Sequence, residues 1–506
     1  MPKALPLMIQ GTSSDAGKSA IATAFCRIFA QAGHKTAPFK SQNMALNSYV
    51  TIDGKEIGRA QGVQAEAAGV LATTDMNPIL IKPTRDSESQ IVVNGEPYGN
   101  MKAMAYRSDF YDQGLRIIQE SYARLAESYE RVVIEGAGSP AEVNLNDREL
   151  VNMRVARLTN APVILVADIE RGGVFASLVG TLQLLPPEDR DRVIGVIINR
   201  FRGDLTLLQS GLDWFEEYTG KPVLGVVPFI PDLWIDAEDS LILHRYQGQQ
   251  ETARDIDIAV IRYPRISNFT DVDPFFVEPD CRMRFVSRLE ELGHPDLIVL
   301  PGSKNTLEDL QFLRETGLAE WIRELHREGK AYVVGLCGGY QMLGESIHDP
   351  DGVESPLREM AGLGLIPMVT TMEQRKTTVQ SRGTASFAGV QLDLVGYEIH
   401  MGQSVFAEND APFIQLENRS DGYCAQERQL IGTYFHGLFH NDDFRTLLLN
   451  AIREKKGLPP MTDRPSFVAL REQGYDLLAD TVRRHVNIGA IEEQMRLYQE
   501  NEVHAG

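Results

Sequence analysis

The stretch YVVGLCGGYQMLG (residues 332–344) decides the fold of the second half of the chain, because it places a cysteine between a strand and a helix. Two valines close an apolar strand, GLCGG makes the turn, and YQMLG begins a helix. The pattern G-x-C-x-G is the thiol counterpart of the G-x-S-x-G nucleophile elbow, whose glycines allow a strained turn and close backbone packing. A sulfur at the tip of such a turn lies at a helix N-terminus, which favours the thiolate. We therefore predict that Cys337 is a nucleophile on an α/β fold.

A nucleophilic thiol needs a base, and the best candidate is His436 in GTYFHGLFH (residues 432–440), directly after a short aromatic strand. An elbow cysteine followed late in the chain by a histidine resembles the class I glutamine amidotransferases, which release ammonia from glutamine. The resemblance implies a Cys337–His436 catalytic pair. It also implies an oxyanion hole formed by the backbone N–H groups of Gly338 and of the turn at Gly302.

One position departs from the wider amidotransferase pattern. Many of those enzymes carry a glutamate two residues after the histidine, whereas this chain has Leu438 there. We therefore expect a two-residue site in which a backbone carbonyl or aromatic neighbours hold the far nitrogen of His436. His440 and His400 are the alternative bases.

A phosphate loop stands at the other end of the chain. GTSSDAGKS (residues 11–19) follows a short apolar strand and precedes a helical pattern. Its backbone N–H groups can cradle phosphate oxygens, while Lys18 reaches the β- and γ-phosphates of ATP and Ser19 binds Mg²⁺. Thr12 stands where the first glycine of the standard motif belongs, and this longer form resembles dethiobiotin synthetase and its relatives. The predicted phosphate-binding residues are Gly11, Thr12, Ser13, Ser14, Asp15, Ala16, Gly17, Lys18 and Ser19.

Further polar residues follow strands of the first half. Glu135 ends the strand in RVVIEGAGSP and either holds Mg²⁺ together with Ser19 or caps the next turn. Asn199 either contacts an adenine edge or forms a turn. Lys40 is suited to neutralising phosphate charge. Candidate contacts to a substrate edged with carboxylates and amides are Ser41, Gln42, Asn43, Asn47, Asn94, Asp168 and Arg171, although Asp168 and Arg171 fit plain loop structure equally well.

The composition is that of an ordinary globular protein. The chain has 506 residues, 43% of them hydrophobic and 24% charged, and carries a net charge of −20. This charge argues against nucleic acid as a partner, since phosphate neutralisation needs clustered Lys and Arg. No apolar run is long enough for a membrane span. The start of the chain lacks a secretory pattern, and four scattered cysteines fit a reducing cytoplasm.

Strands alternate with helices in two blocks, which predicts two domains, each with a mostly parallel sheet covered by helices. We place a P-loop synthetase domain at residues 1–236, a polar linker at 237–255 and an amidotransferase domain at 256–443. Residues 362–432 look richer in β structure. Residues 444–506 form a helical C-terminal extension that we expect to pack on the second domain.

The two halves together resemble one family. KSQNMALNSYVT, QIVVNG, DIERGGVFASL, NRFRGD, PGSKNT, GLCGGYQMLG, GYEIHMG and YFHGLFH occur in the order found in the cobyric acid synthase family of cobalamin biosynthesis. The resemblance implies an ATP- and glutamine-dependent ligase that uses Mg²⁺. Its implied substrate is the corrin adenosylcobyrinic acid a,c-diamide, amidated on the b, d, e and g carboxylates.

Two other functions remain open at this stage. The first is the sister activity, which amidates the a and c carboxylates of cobyrinic acid. The second is a P-loop switch ATPase with an inactive amidotransferase module. Ser13 counts against the switch ATPases, because they carry a signature lysine at that position.

Overall fold

The computed structural model of the protein describes residues 4–85, 88–231, 233, 254–406 and 412–505. It divides into two compact units. The first comprises Met1–Ala45, Glu56–Ile235 and Arg471–Gly506, and the second comprises Leu46–Lys55 and Asp236–Leu470. Of the predicted linker at residues 237–255, only the last two residues lie in the described part of the chain.

The first unit is built on a six-stranded sheet in which every described strand pair is parallel. Its strands are buried runs of Val, Ile and Leu, as expected for a sheet covered on both faces. Their carboxyl ends meet at one edge, which is where ligands bind in open α/β sheets. The strands, in spatial order, are Val223–Pro228, Val193–Phe201, Val163–Asp168, Leu5–Gly11, Arg131–Glu135 and Thr36–Phe39.

The other elements of this unit are a smaller sheet, a short strand Glu56–Gly58 and a set of helices. The smaller sheet has the order Gln42–Met44, Ile79–Arg85, Glu88–Val93 and Glu96–Lys102. Asp204 begins one helix by accepting a hydrogen bond from Thr206 N at its side chain, a standard N-cap. The helices are Lys18–Gln31, Arg59–Ala67, Ala103–Asp109, Tyr111–Ser128, Met153–Thr159, Val174–Leu184, Pro187–Arg192 and Leu205–Thr219, with 3₁₀ turns at Thr74–Met76 and Asn146–Arg148.

The C-terminal extension is helical, as predicted, in Asp442–Lys455, Phe467–His485 and Ile488–Ala505. Its predicted packing on the second domain is wrong from Arg471 onward. Leu478, Val482 and Met495 lie in the hydrophobic core of the first unit, together with residues of the strand Leu5–Gly11. In the described part of the chain, neither these helices nor any other is long and apolar enough to cross a membrane.

The second unit has its own six-stranded sheet, parallel except for one edge pair. Its strands, in spatial order, are Cys281–Val286, Ile256–Ile261, Leu297–Leu300, Tyr332–Leu336, Leu430–Thr433 and Tyr423–Ala425. A mostly parallel sheet in each unit confirms the predicted α/β class.

The β-rich part of the second unit is also confirmed. Two long strands, Met368–Phe387 and Val390–Phe406, form an antiparallel pair. The strands associated with them are Ser346–His348, Glu359–Ala361, Ile414–Leu416, Ser420–Asp421 and Phe435–His436, and a separate pair is Ile266–Ser267 with Gly302–Ser303. The segment Leu46–Lys55 contributes Ser48–Val50. The helices are Leu289–Leu292, Thr306–Glu315, Leu318–Arg327, Gly338–Leu343 and Asp442–Lys455, with 3₁₀ helices at Phe269–Val277, Gln426–Arg428 and Leu438–His440.

Candidate active sites in the two units

Cys337 alone separates the strand Tyr332–Leu336 from the helix Gly338–Leu343. Its backbone has φ 50° and ψ −108°, a strained conformation for a residue with a side chain. The turn depends on Gly339, since a Cβ there would lie 1.9 Å from the carbonyl oxygen of Leu300. The predicted strand–turn–helix elbow is therefore confirmed.

The thiol of Cys337 is 8% exposed and has two neighbours. Its Sγ donates to the carbonyl oxygen of Ile399 at 3.5 Å, and Cys337 is near enough to the imidazole of His436 to help raise the pKa of that ring. The structure thus brings together the two residues that the sequence nominated as nucleophile and base.

The expectation that no carboxylate holds His436 is wrong. Nδ1 of His436 lies 2.6 Å from Oδ2 of Asp271, and the other carboxylate oxygen accepts from Gly437 N at 2.8 Å. Asp271 belongs to the 3₁₀ helix Phe269–Val277, far from Leu438 in sequence. The carboxylate therefore comes from a different element than in enzymes that carry it two residues after the histidine. The arrangement is a Cys–His–Asp triad.

This triad sets the charge state of the imidazole. Burial by itself would lower the pKa of His436, but the carboxylate of Asp271 and the nearby Cys337 outweigh it and raise the pKa to about 10. Burial likewise opposes ionisation of Asp271, yet the imidazolium of His436 keeps the pKa of that carboxyl below its usual range. The pair therefore favours a charged histidine beside the sulfur.

Two further side chains contact the imidazole of His436. The ring of Tyr397 stacks on it with centroids 5.0 Å apart, so the expected aromatic neighbour is present as well. Nδ2 of Asn268 lies 3.4 Å from Nε2 of His436. The two alternative bases have other partners: His440 bonds to the Thr270 carbonyl, and His400 to the Gly402 carbonyl.

The residues proposed for the oxyanion hole lie close to the elbow. A Cβ on Gly338 would lie 2.8 Å from Ser303 N, and one on Gly302 would lie 3.5 Å from Cε1 of His436. The turn at Gly302 and Ser303 is thus in contact with both the nucleophile elbow and the histidine.

In the first unit, the loop between the strand Leu5–Gly11 and the helix Lys18–Gln31 has the predicted position. Gly17 has φ 98°, and a Cβ there would lie 2.0 Å from Nδ2 of Asn199, so this position requires glycine. Asn199 Nδ2 donates to the carbonyl of Ala16, so Asn199 stabilises the loop. This contact gives Asn199 a structural role, and its contact with an adenine edge stays a prediction.

Lys18 folds back over the loop, where Nζ donates to the carbonyls of Ser13 at 2.8 Å and Gly138 at 3.1 Å. Asp15 pairs with Arg171 at 2.9 Å across the loop mouth. Asp168 accepts from Glu170 N and pairs with Arg200 at 2.7 Å. Asp168 and Arg171 are thus engaged in loop contacts beside the phosphate loop.

Glu135 is the centre of the polar cluster at this sheet edge. Oε1 accepts from Ser19 Oγ at 2.8 Å and from Lys40 Nζ at 2.9 Å, and Oε2 accepts from Gln64 Nε2 at 2.6 Å. The hydroxyl of Ser19 and the carboxylate of Glu135 are thus adjacent. One carboxylate and one hydroxyl are suitable protein ligands for Mg²⁺, which usually takes its other ligands from phosphates and water. The described residues hold no cluster of three or more His, Cys, Asp or Glu side chains suited to a metal.

The polar loop residues predicted to meet a corrin fall into three groups. Ser41 and Asn43 are buried, donating to the Leu150 carbonyl and to Oε1 of Gln61 respectively, and Gln42 accepts from Tyr106. Asn47 is buried in the second unit, where Oδ1 accepts from Phe269 N. Asn94 is exposed at φ 48° in the Asn-Gly turn of a hairpin, a conformation that asparagine favours for its own sake.

Three residues in these sites were missed in the sequence. Asp271 and Asn268 lie in ISNFTDVDPF, which has no motif spacing to the histidine, and Gln64 lies within an unremarkable helix. Only a structure shows that they contact His436 and Glu135. Tyr397 does lie in the motif GYEIHMG, but nothing in the sequence indicates that Tyr397 stacks on His436.

Both halves of the chain match known protein families. Residues 7–242 match the family model described as the CobQ/CobB/MinD/ParA nucleotide binding domain, and residues 257–444 match that of the CobB/CobQ-like glutamine amidotransferase domain. The chain is 64% identical over 503 residues to a cobyric acid synthase from Geobacillus sp. (strain WCH70), covering 99% of this chain and 100% of that protein. The chain belongs to the cobyric acid synthase family.

More distant members of the cobyric acid synthase family also match from end to end. Identity is 63% to the protein of Anoxybacillus flavithermus (strain DSM 21510 / WK1), covering 100% of both chains. It is 48% to that of Moorella thermoacetica (strain ATCC 39073 / JCM 9320), covering 97% of both. The expected family, with a nucleotide-binding domain and a glutamine amidotransferase domain in one chain, is thereby confirmed.

Proposed function

We propose that this protein is a glutamine-hydrolysing, ATP-dependent carbon–nitrogen ligase that acts as a cobyric acid synthase. Its substrate is adenosylcobyrinic acid a,c-diamide, and it amidates the b, d, e and g carboxylates. The observation that carries the proposal is the presence of a phosphate loop and a Cys337–His436–Asp271 triad in one chain that matches cobyric acid synthases over its whole length.

The triad supplies the nitrogen. The thiolate of Cys337 attacks the side-chain amide of glutamine, and the N–H groups of Gly338 and of the turn at Gly302 stabilise the oxyanion. His436, held by Asp271, protonates the leaving ammonia, and a glutamyl thioester remains on the sulfur. Water then hydrolyses the thioester and releases glutamate.

The first unit activates the acceptor. A carboxylate is a poor acyl donor because its leaving group would be oxide, so the γ-phosphoryl of ATP is transferred to it first. Lys18 and Lys40 stabilise the charge that spreads over the transferring group. Ammonia then displaces phosphate from the acyl phosphate and forms the amide.

Mg²⁺ fits the pair Ser19 and Glu135, where it would neutralise phosphate charge. Lys40 and Gln64 contact the same carboxylate and orient it toward the serine hydroxyl. Because Lys18 is bound to two carbonyls, it must exchange those bonds to reach a phosphate. We expect this exchange to accompany nucleotide binding.

The test is incorporation of nitrogen from glutamine labelled at its side-chain amide. With ATP and adenosylcobyrinic acid a,c-diamide, mass spectrometry is expected to find labelled amides at the b, d, e and g positions. Labelling of cobyrinic acid at only the a and c positions would assign the sister activity. ATP hydrolysis that needs neither corrin nor glutamine would assign a switch ATPase.

A further inference from the structure

The turn that is proposed to supply one of the two oxyanion donors forms a short antiparallel ladder. This turn, Gly302–Ser303, is here called the oxyanion turn, and it pairs with Ile266–Ser267. The ladder continues into the next residue, since Lys304 N donates to the carbonyl of Arg265 at 2.9 Å. The N–H groups of successive residues in an extended strand point to opposite edges. The N–H group of Ser303 is therefore directed away from the paired strand.

The nucleophile elbow lies directly against this N–H group. A Cβ on Gly338 would lie 2.8 Å from Ser303 N and 3.0 Å from Ser303 Cβ. On the neighbouring residue, a Cβ on Gly302 would lie 3.5 Å from Cε1 of His436. The oxyanion turn thus packs against the elements that carry both the nucleophile and the base. A rotation of this turn would change the direction of the Ser303 N–H while the thiol of Cys337 stays in place.

One buried carboxylate holds the oxyanion turn and its paired strand together. Oδ2 of Asp309 accepts from Ser303 Oγ at 2.5 Å, and Oδ1 accepts from Arg265 N at 3.2 Å. The hydroxyl of Ser303 in turn accepts from Asn305 N at 3.0 Å. Asp309 is 1% exposed and lies in the first turn of the helix Thr306–Glu315. The side chain of Ser303 is therefore fixed both as a donor and as an acceptor.

The ionised form of Asp309 suits these contacts, because Ser303 and Arg265 both donate to it. Burial raises the pKa of Asp309 to about 7, although the two hydrogen bonds oppose that rise. The charged or titratable groups around it are the Arg265 guanidinium, which lowers this pKa, Glu308, which raises it, and Tyr263. The carboxylate therefore prevails above neutral pH, where the oxyanion turn is held by both of its oxygens.

We propose that Asp309 is a positioning residue that, through the hydroxyl of Ser303, directs the backbone N–H of Ser303 at the oxyanion formed when Cys337 attacks glutamine. Asp309 touches neither glutamine nor the reacting atoms. It fixes the residue whose N–H must meet the developing charge, and such a donor is effective only when it is held in place before the reaction. This inference rests on the proposed glutaminase role of Cys337 and names a residue on which that role depends.

The test compares two variants with a matched control, all in the full-length protein. Ser303→Ala removes the hydroxyl and keeps the backbone N–H, whereas Asp309→Asn leaves one acceptor oxygen for two donors. The control is Ser381→Ala, because Ser381 is likewise buried and donates to a buried carboxylate, Oε1 of Glu398, at 2.6 Å. The measurements, at about pH 8.5, are kcat and KM of glutamine hydrolysis and the rate at which iodoacetamide alkylates Cys337, followed on its peptide by mass spectrometry.

Both variants are expected to lower kcat about tenfold, which is part of the roughly 10²- to 10³-fold cost of losing an oxyanion donor outright. The KM for glutamine should stay nearly constant, because the oxyanion forms only on the way to the transition state. Alkylation should keep its rate, since iodoacetamide loses iodide from a saturated carbon and forms no oxyanion. The double variant should lose no more than the worse single variant, because both changes break the same contact. Ser381→Ala should leave all three quantities unchanged.

A normal kcat in Ser303→Ala or Asp309→Asn would overturn the inference. Equal losses of kcat and of alkylation rate would overturn it as well, because they would show general damage to the site. Asp309→Asn keeps the volume of the side chain and decides the matter if Ser303→Ala melts early. Cys337→Ala, assayed in parallel, separates this failure from failure of the proposed function. If Cys337→Ala still hydrolyses glutamine, the triad is not the glutaminase; if it does not and the two variants are normal, only the positioning role is refuted.

Discussion

Both candidate sites lie where a parallel strand turns into a helix, but the two turns differ in length. In the first unit, the six residues of TSSDAG (residues 12–17) separate the strand from the helix, whereas in the second unit Cys337 alone does so. A long turn before a helix can offer several backbone N–H groups to one anion, which suits a phosphate. The short turn holds one side chain at its tip in a strained conformation, which suits a nucleophile. The two turn lengths thus agree with the two chemistries proposed for these sites.

The two sites also hold their charges differently. The imidazole of His436 and the carboxylate of Asp271 form a buried pair, 1% exposed each, whose geometry is set by two elements of one unit. Around the long turn, Lys18 binds backbone carbonyls and Glu135 is shared by three donors. In the proposed mechanism, the short turn therefore has the His436–Asp271 contact already in place, whereas Lys18 at the long turn must exchange its carbonyl contacts for a phosphate.

The largest effect is expected from removing the base beside the short turn. His436→Ala should reduce glutaminase by about 10³-fold, since it removes the acid–base group that serves Cys337. Leu438→Ala is the matched control, because Leu438 occupies the position of the usual glutamate but has no acceptor. It should change the rate several-fold at most. Steady-state glutamine hydrolysis, with folding checked by thermal melting, measures both variants, and equal losses would make His436 a structural residue.

The long turn is tested by Lys18→Ala. Loss of its charge at the γ-phosphate should reduce amide synthesis about 10²-fold or more, with glutamine or with ammonia as nitrogen source. Formation of the glutamyl adduct at Cys337 should persist, because the two turns perform separate steps. Ammonia-dependent synthesis at nearly the normal rate in this variant would mean that GTSSDAGKS is not the ATP site.

The carboxylate that the structure adds to the short turn is tested by Asp271→Asn. It should reduce glutaminase activity by about 10²-fold, because a neutral amide does not stabilise the protonated imidazole or orient the ring as a carboxylate does. Asp273→Asn, two residues along the same 3₁₀ helix, is the matched control and should retain most activity. Similar activity in both variants would mean that Asp271 is not needed and that the site works as the Cys337–His436 pair expected from the sequence.

The smallest effect is a pH dependence of stability. The pKa of His436 is raised from 6.5 to about 10 in the folded protein, so its contribution to stability is fully present below pH 6.5 and is lost as pH rises toward 10. Asp271→Asn removes the main cause of the raised pKa. Between about pH 7 and about pH 9, the melting temperature should therefore fall less in this variant than in the unmodified protein. Parallel falls would show that the pair does not titrate in this way.

The sequence predicted what depends on neighbouring residues. The elbow at Cys337, the loop at GTSSDAGKS and the apolar parallel strands are local patterns, and all have the expected structure. The partnership of His436 with Asp271 joins residues 165 positions apart, and no spacing rule connects them. The same holds for the segment Leu46–Lys55 and for Leu478 and Met495, whose packing in a given unit is decided by tertiary contacts rather than by local sequence pattern.

The central claim is that the short turn supplies ammonia and the long turn uses it. The most direct measurement is amide formation on adenosylcobyrinic acid a,c-diamide by Cys337→Ser, with ATP and either glutamine or ammonium as nitrogen source. The account predicts no synthesis from glutamine and nearly normal synthesis from ammonium. Loss of synthesis from both sources, in a variant that melts like the unmodified protein, would contradict it.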